Sequence, residues 1–177
     1  RGLGDVYKRQ DYTAYIDEAQ QTFKDLGFEI EVLDIASCDR ETAQAKIFQS
    51  KILYISGGNT FYLLQELKKK QLLSLIKEQI RDGLIYVGES AGAIITAKDV
   101  DYNKLMDDKT VAKELSDTTG LNEVEFYILP HYGEEPFTDS SKKTFETYKN
   151  QLDLMRMNNS QAVIVNDKEI KVVSEQD

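Results

Sequence analysis

The stretch YVGESAGAII, residues 86–95, places a serine between an apolar segment and a run of small residues. The apolar residues that end at Gly88 predict a buried strand, and the small residues after Ser90 are typical of the first turn of a helix. In such a turn the serine is exposed at the carboxyl end of the sheet, and the N–H of Ala91 can stabilise an oxyanion. The same pattern also fits a serine that only caps the helix, so Ser90 is either a nucleophile or a helix cap.

Strands and helices alternate on both sides of this stretch. Strands are predicted over residues 28–35, 51–58, 84–88 and 122–131, helices over residues 12–27, 39–49, 59–70, 72–83, 90–98 and 140–157, and a closing hairpin over residues 161–175. This alternation predicts an α/β fold with a mostly parallel sheet that helices cover on both faces. Because such sheets normally begin with a strand and this chain begins with a helix, we expect its first strand to be missing. The polar residues 98–120 are expected to form a surface excursion near the serine turn.

The composition limits the classes of function. The chain has 177 residues, of which 41% are hydrophobic and 30% charged, as expected for one globular domain with a sizeable core. The chain has a net charge of −9 and therefore lacks the positive field that attracts the phosphate backbone of nucleic acids. No apolar run approaches the ~20 residues that span a bilayer. Neither nucleic acid nor a membrane is therefore an expected partner.

The cysteine and histidine counts and the first ten residues further limit the expected location, cofactors and domain bounds. Cys38 is the only cysteine, which excludes an internal disulfide and favours a reducing, cytoplasmic location. With one histidine and no cysteine cluster, a His- or Cys-based zinc site is not expected, and the serine chemistry considered below needs no metal or organic cofactor. Residues 1–10, RGLGDVYKRQ, are basic, lack apolar periodicity and resemble translated vector sequence. We expect them to be foreign and residues 11–177 to form the single domain.

A serine nucleophile needs a base, a group that orients the base, and donors for the oxyanion. His131 follows a predicted strand end, where functional residues gather in open α/β sheets, and it is the only histidine available as the base. Gly57 and Gly58 follow another strand, so their N–H groups can face an anionic ligand. Asn59 or Thr60 is expected to cap the helix that follows, which is compatible with a role beside the substrate.

Three segments together resemble the dipeptidase E family of serine peptidases, peptidase family S51, to which the cyanophycinases are related: GGNTFYLLQEL, YVGESAGAII and GLNEVEFYILPHY. They come in the family's order with similar spacing, and the resemblance runs from about residue 11 to the end of the chain. It implies a flavodoxin-like, class I amidotransferase-like three-layer sandwich. It also implies that Ser90 is the nucleophile and His131 the base. The family's glycine pair falls on Gly57 and Gly58, and Gly58 and Ala91 would supply the oxyanion donors.

The resemblance also implies an acidic third member of the catalytic set. In the family this residue comes from a turn between two strands near the C-terminus, where this chain has Asp167, with Glu169 as the alternative. A different placement, shortly after the nucleophile, would fall on Asp99 or Asp101. Asp167 is the first choice among the four.

The function expected from these features is that of a cytoplasmic serine peptidase, similar to a dipeptidase or aminopeptidase, that hydrolyses short peptides without a cofactor. Two alternatives remain from the sequence: an esterase of the α/β-hydrolase type, and a binding module without activity on the same fold. Dipeptidase E prefers an N-terminal aspartate, which needs a cation in the pocket, but the acidic stretch after His131 has no arginine before residue 156. An aspartyl preference is therefore not expected, and the sequence leaves the oligomeric state open between monomer and homodimer.

Overall fold

The computed structural model describes residues 14–175, so the residues 1–10 that we expect to be foreign and the first two residues of the first predicted helix lie outside this range. The described helices are α1 (Ala14–Asp25), α2 (Arg40–Gln49), α3 (Thr60–Lys69), α4 (Leu73–Arg81), α5 (Ala91–Ile94) and α6 (Thr138–Tyr148). The strands are β1 (Ile52–Ile55), β2 (Ile85–Gly88), β3 (Tyr127–Leu129), β4 (Leu154–Arg156), β5 (Gln161–Asn166) and β6 (Glu169–Ser174). Short 3-10 helices lie within the polar excursion, over Asp101–Leu105 and Lys109–Val111.

Side-chain caps and one glycine explain where several helices begin or end. Asp39, where the helix predicted over residues 39–49 begins, accepts the N–H of Thr42 at 2.7 Å and caps α2. Asn59 accepts the N–H of Tyr62 at 3.0 Å and caps α3 in the same way. Gly27 follows α1 with a φ of 86°, a left-handed conformation that glycine adopts without steric cost.

The strands pair in three groups. β1 and β2 are parallel, with Tyr54 opposite Val87 and Ile55 opposite Gly88. β3 and β4 are also parallel, with Leu129 opposite the last residue of β4. β5 and β6 form an antiparallel hairpin, as predicted for the end of the chain. The structure therefore has the mixed α/β architecture with parallel strands that the sequence predicts.

Two predicted elements differ in kind from the structure, and two others are shorter than predicted: the helix predicted over residues 90–98 ends at Ile94, and the strand predicted over residues 122–131 is confined to Tyr127–Leu129. Residues 28–35 are not a strand, and their backbone joins none of the sheets of the described chain. An alternating segment forms a strand only where a neighbouring strand takes up its hydrogen bonds. Residues 140–157, predicted as one helix, divide between α6 and β4 because the N–H of Tyr127 bonds the carbonyl of Asp153 at 2.8 Å and aligns β4 with β3.

The main core lies where α3, α4 and α5 pack against β1 and β2. Its fully buried members include Phe61, Leu64, Leu72, Ile76, Ile94 and Ile95. Burying an apolar side chain of this size contributes about 1.5–3 kcal/mol to stability. This packing holds the carboxyl ends of β1 and β2, and hence the loops that follow them, at fixed positions.

Gly92 of α5 lies against the backbone of β1, and we expect Gly92→Ala to destabilise the protein. A Cβ on Gly92 would lie 2.1 Å from the carbonyl oxygen of Ile55, and backbone atoms cannot move aside as a flexible side chain can. Overpacking of this kind costs about 3 kcal/mol or more, which corresponds to a melting temperature lower by roughly 6–12 °C. Thermal unfolding followed by circular dichroism measures this shift.

Gly133→Ala is a suitable control for that prediction. Gly133 has a φ of 80°, but a Cβ built on it meets no heavy atom within 4 Å. Its substitution should cost only the local backbone strain, about 1–2 kcal/mol. If Gly92→Ala melts no lower than Gly133→Ala, the close approach of α5 to β1 is not as described.

Candidate active site

Ser90 lies at the turn between β2 and α5 in an unusual backbone conformation. Its φ is 48° and its ψ is −108°, a combination that a residue with a Cβ rarely adopts. The turn is tight because Gly88 lacks a Cβ, which would otherwise lie 2.5 Å from the carbonyl oxygen of Gly92. The Ser90 side chain makes no capping hydrogen bond to α5, so the geometry does not support a capping role. Strained residues of this kind cluster at functional sites, because the surrounding packing must maintain them.

His131 lies beside Ser90 although 41 residues separate them in the chain. It follows β3 with a φ of 55°, and its Nε2 is 2.9 Å from the Oγ of Ser90. The ring of Phe137 stacks against the imidazole at 5.0 Å between centroids and 22° between planes. This contact restricts the orientation of the imidazole and keeps Nε2 directed toward the hydroxyl.

Asn159 occupies the other side of the imidazole. Its Oδ1 is 2.7 Å from the Nδ1 of His131, and an amide oxygen can only accept a hydrogen bond. The contact therefore places the imidazole proton on Nδ1 and leaves Nε2 as an acceptor for the Ser90 hydroxyl. The sequence reasoning missed Asn159 because it extended α6 to residue 157. The N–H of Met157 bonds the carbonyl of Leu129 and continues the pairing of β4 with β3 toward Asn159, a tertiary contact that the sequence pattern does not show.

The structure does not bring Asp167 to His131. Asp167 lies in the exposed turn between β5 and β6 with a φ of 53°. Asn159 precedes β5 and Asp167 follows it, so the six residues of the strand separate them by about 20 Å, at roughly 3.3–3.4 Å per residue. Among the described residues, the hydrogen bonds of the His131 ring go to Ser90 and Asn159 and not to the expected carboxylate.

The other acidic candidates also have partners elsewhere. Asp99 accepts the N–H of Asp101 at 2.7 Å and the hydroxyl of Thr118 at 3.0 Å. Hydrogen bonds from two lysines, Lys104 and Lys109, lower the pKa of Asp101. Glu169, the first residue of β6, is exposed on the hairpin. None of these three carboxyl groups is hydrogen-bonded to His131 in the described part of the chain.

Asp107 is a buried acidic residue near His131 that the sequence reasoning did not select. Its carboxyl group accepts the N–H of Thr60 at 2.8 Å and the amide of Asn103 at 2.9 Å. Burial raises the pKa of Asp107, and these hydrogen bonds together with the nearby His131 offset part of the rise. Asp107 therefore links the polar excursion to the start of α3 and places a carboxyl group within electrostatic range of the imidazole.

The loop between β1 and α3 also approaches Ser90. A Cβ on Gly57 would lie 3.3 Å from the Cβ of Ser90, and Gly58 has a φ of 134°. Within the described residues, neither the N–H of Gly58 nor that of Ala91 has a hydrogen-bond acceptor. Both N–H groups are therefore without an acceptor in the described structure, and their role as oxyanion donors stays a prediction. Asn59 has a structural role, since its amide caps α3 and donates to the carbonyl of Asp108 at 3.0 Å.

In residues 14–175, no three side chains of the His, Cys, Asp or Glu type converge on a point where they could hold a metal ion. None of the helices in that range is long and apolar enough to cross a membrane.

Comparison with known proteins identifies relatives along nearly the whole chain. The model of peptidase family S51 matches residues 7–173. An uncharacterised peptidase of Pasteurella multocida is 40% identical over 166 residues, which cover 94% of this chain and 80% of that protein. A peptidase E of Nostoc is 30% identical over 121 residues, which cover 68% of this chain but 47% of that protein.

Solved structures show the same similarity. A crystal structure from Listeria monocytogenes, provisionally described as a peptidase E, matches with a TM-score of 0.87 and 35% sequence identity. The match covers 92% of this chain and 78% of that one. A peptidase from an acI-B1 Actinobacterium matches with a TM-score of 0.68 at 21% identity, which supports the fold alone.

Proposed function

The chain belongs to peptidase family S51, and from that premise we propose that it is a serine peptidase that hydrolyses short peptides, with Ser90 as nucleophile and His131 as base. The observation that carries this proposal is the 2.9 Å contact between the His131 Nε2 and the Ser90 Oγ at a strained strand–helix turn. Family membership favours the peptidase over the esterase and over the binding module without activity.

The proposed reaction uses the Nε2 of His131 for every proton transfer, while Nδ1 stays bonded to Asn159. His131 accepts the Ser90 proton on Nε2 while Oγ attacks the scissile carbonyl carbon, and the N–H groups of Gly58 and Ala91 donate to the oxyanion. The imidazolium then protonates the leaving amine, which departs as the carbon–nitrogen bond breaks. Water attacks the acyl-enzyme with His131 again as the base, and Ser90 recovers its proton as the product acid leaves.

Asn159 takes the orienting role in this proposal, in place of the Asp167 expected from the family pattern. Histidine with an asparagine partner is a known variant of the catalytic triad, in which the amide fixes the tautomer without supplying a charge. Asp107 supplies a carboxyl group near the imidazolium without contacting it. Asp167 therefore keeps a catalytic role only if the hairpin turn moves to the site.

We expect Asn159→Leu to lower kcat by about two- to twelvefold with little change in KM, because one net hydrogen bond of about 0.5–1.5 kcal/mol to His131 is lost. Asn159→Asp retains an acceptor and should keep activity closer to that of the unmodified protein. Asp167→Asn is the matched control and should leave kcat unchanged. Steady-state kinetics on one good peptide substrate measure all three. A larger loss from Asp167→Asn than from Asn159→Leu would restore Asp167 as the third member.

The finer architectural predictions also belong to this proposal. A flavodoxin-like three-layer arrangement is supported by the parallel pairing of β1 with β2 and of β3 with β4. We propose further that residues 11–177 form a single domain, although the family match begins at residue 7 and so overlaps the segment expected to be foreign. The single cysteine supports a cytoplasmic location, since the chain has no disulfide to maintain.

Turnover of a mixed substrate set tests the proposed function. The purified chain is incubated with a dipeptide library, with decapeptides, and with p-nitrophenyl esters, and the products are identified by mass spectrometry. We expect cleavage of dipeptides and other short peptides. Rapid ester hydrolysis without any peptide cleavage would favour the esterase instead, and no turnover of any substrate would contradict the proposal.

A further inference from the structure

The residue directly before Ser90 is a glutamate that the proposed mechanism does not use. The N–H of Glu89 bonds the carbonyl of Ile55 at 2.9 Å, which fixes Glu89 at the carboxyl ends of β1 and β2. Glu89 is partly buried, and its carboxyl group accepts a hydrogen bond from a side chain of the sheet. A partly buried carboxyl group needs partners to offset its lost hydration.

The first partner is a phenol from β1. The hydroxyl of Tyr54 donates to the Oε2 of Glu89. Tyr86 bonds the carbonyl of Gly92 and therefore faces α5, so Val87 faces the other side of the sheet. Tyr54 is paired with Val87 and shares that side, where its ring meets Phe23 of α1 at 5.2 Å between centroids. Burial and the Glu89 contact raise the pKa of Tyr54, which keeps it a neutral donor.

A second ring near the site comes from α1. A Cβ on Gly57 would lie 3.6 Å from the Cε2 of Tyr15 and 3.8 Å from the Oγ of Ser90. The Tyr15 ring therefore borders the same small volume as the nucleophile. Tyr15 also contributes to the raised pKa of Tyr54, which places the two phenols near one another. Glu89, Tyr54 and Tyr15 thus form one group of side chains beside Ser90, which we call the Glu89 cluster.

The Glu89 cluster lacks a cation of its own within the described residues. No lysine or arginine in that part of the chain forms an ion pair with Glu89, whereas nine ion pairs occur elsewhere. A carboxylate beside two aromatic rings is a favourable environment for an ammonium or guanidinium group, through both charge pairing and cation–π attraction.

We propose that the Glu89 cluster binds a cationic group on the acyl part of the substrate, either its free amino terminus or a basic side chain. This inference rests on the proposed role of Ser90, because the acyl part is the one that becomes attached to it. An acidic side chain in the same position would lie beside the Glu89 carboxylate, and the two like charges would repel each other. Substrates with a positive charge on the residue that donates the scissile carbonyl are therefore preferred over acidic ones.

Four p-nitroanilide substrates test the proposal, because they differ from one another in the charges that they carry. Norleucine p-nitroanilide carries only the amino-terminal charge, acetyl-lysine p-nitroanilide only the side-chain charge, acetyl-norleucine p-nitroanilide neither, and acetyl-glutamate p-nitroanilide a negative charge. We expect kcat/KM to be highest for one or both of the two cationic substrates and lowest for the acidic one. Which cationic substrate is faster identifies the source of the positive group.

Glu89→Gln removes the charge and retains an acceptor for the Tyr54 hydroxyl. We expect it to lower kcat/KM for the preferred cationic substrate about 10- to 100-fold, as for loss of a charged hydrogen bond, and to change the uncharged substrate less than twofold. Glu78→Gln, at an exposed position on α4, is the matched control and should change neither. A thermal melt of each variant checks that the fold is retained.

Labelling of Ser90 by an uncharged fluorophosphonate separates this inference from the proposed function. If Ser90 is labelled but the four substrates react alike, or if Glu89→Gln slows all four equally, the inference is wrong and the proposed function stands. If Ser90 is not labelled and no substrate is turned over, both are wrong. Equal labelling of the unmodified protein and Glu89→Gln, with selective loss of the cationic substrate, supports the inference.

Discussion

Replacing Ser90 with alanine is expected to lower peptide hydrolysis by about 10⁶-fold, the loss that removal of a triad nucleophile produces. The reason is specific to this turn. The Oγ of Ser90 is the only hydroxyl within hydrogen-bond distance of the His131 Nε2 in the described residues. Alanine keeps the Cβ that lies against Gly57 and removes only this oxygen. Product formation from a good dipeptide substrate, followed by liquid chromatography, measures the effect.

Ser74→Ala is the matched control, since Ser74 is exposed on α4 and distant in sequence from the site. It should retain full activity, and the melting temperatures of both variants should stay near that of the unmodified protein. If Ser90→Ala retains more than about a tenth of the activity, the hydrolysis does not use Ser90 as its nucleophile.

His131→Ala is the second large effect that we expect, of the same order of about 10⁶-fold, because nucleophile and base act as a unit and their losses do not add. The chain has one histidine, so no other imidazole can replace the lost base. The double variant with Ser90→Ala should therefore be no less active than either single variant. Steady-state rates of the three proteins on one substrate give this comparison.

The two single variants differ in one further respect. His131→Ala keeps the Ser90 hydroxyl but removes its acceptor, so any remaining turnover should depend on added base, whereas Ser90→Ala should not respond. Full additivity of the two losses would mean that Ser90 and His131 act in separate steps, which contradicts the proposed mechanism.

Local patterns explain how much of the fold the sequence predicts. The turn at Ser90, the cap at Asp39 and the closing hairpin depend on residues that are close in the chain, and all three are present in the structure. The strand predicted over residues 28–35 depends on a neighbour that must come from elsewhere in the chain. Periodicity cannot show whether such a neighbour exists, so this element was wrong.

In the candidate site too, some residues could be predicted from the sequence and others only from the structure. The proximity of Ser90 and His131 follows from the rule that functional residues gather at the carboxyl ends of parallel strands. Asn159 was missed because β4 has three residues, too few to show a period, and it continues the helical pattern of α6. Asp107 was missed because a polar excursion carries no periodic signal, and its contacts with Thr60 and Asn103 are defined only by tertiary packing.

The measurement that tests the central claim most directly is covalent labelling by an uncharged fluorophosphonate, with the modified residue located by mass spectrometry of the digested protein. The proposed mechanism predicts one label per chain, on Ser90, with activity lost in proportion to labelling and no label in the His131→Ala variant. A label on any other residue, or full activity after Ser90 is modified, would contradict it.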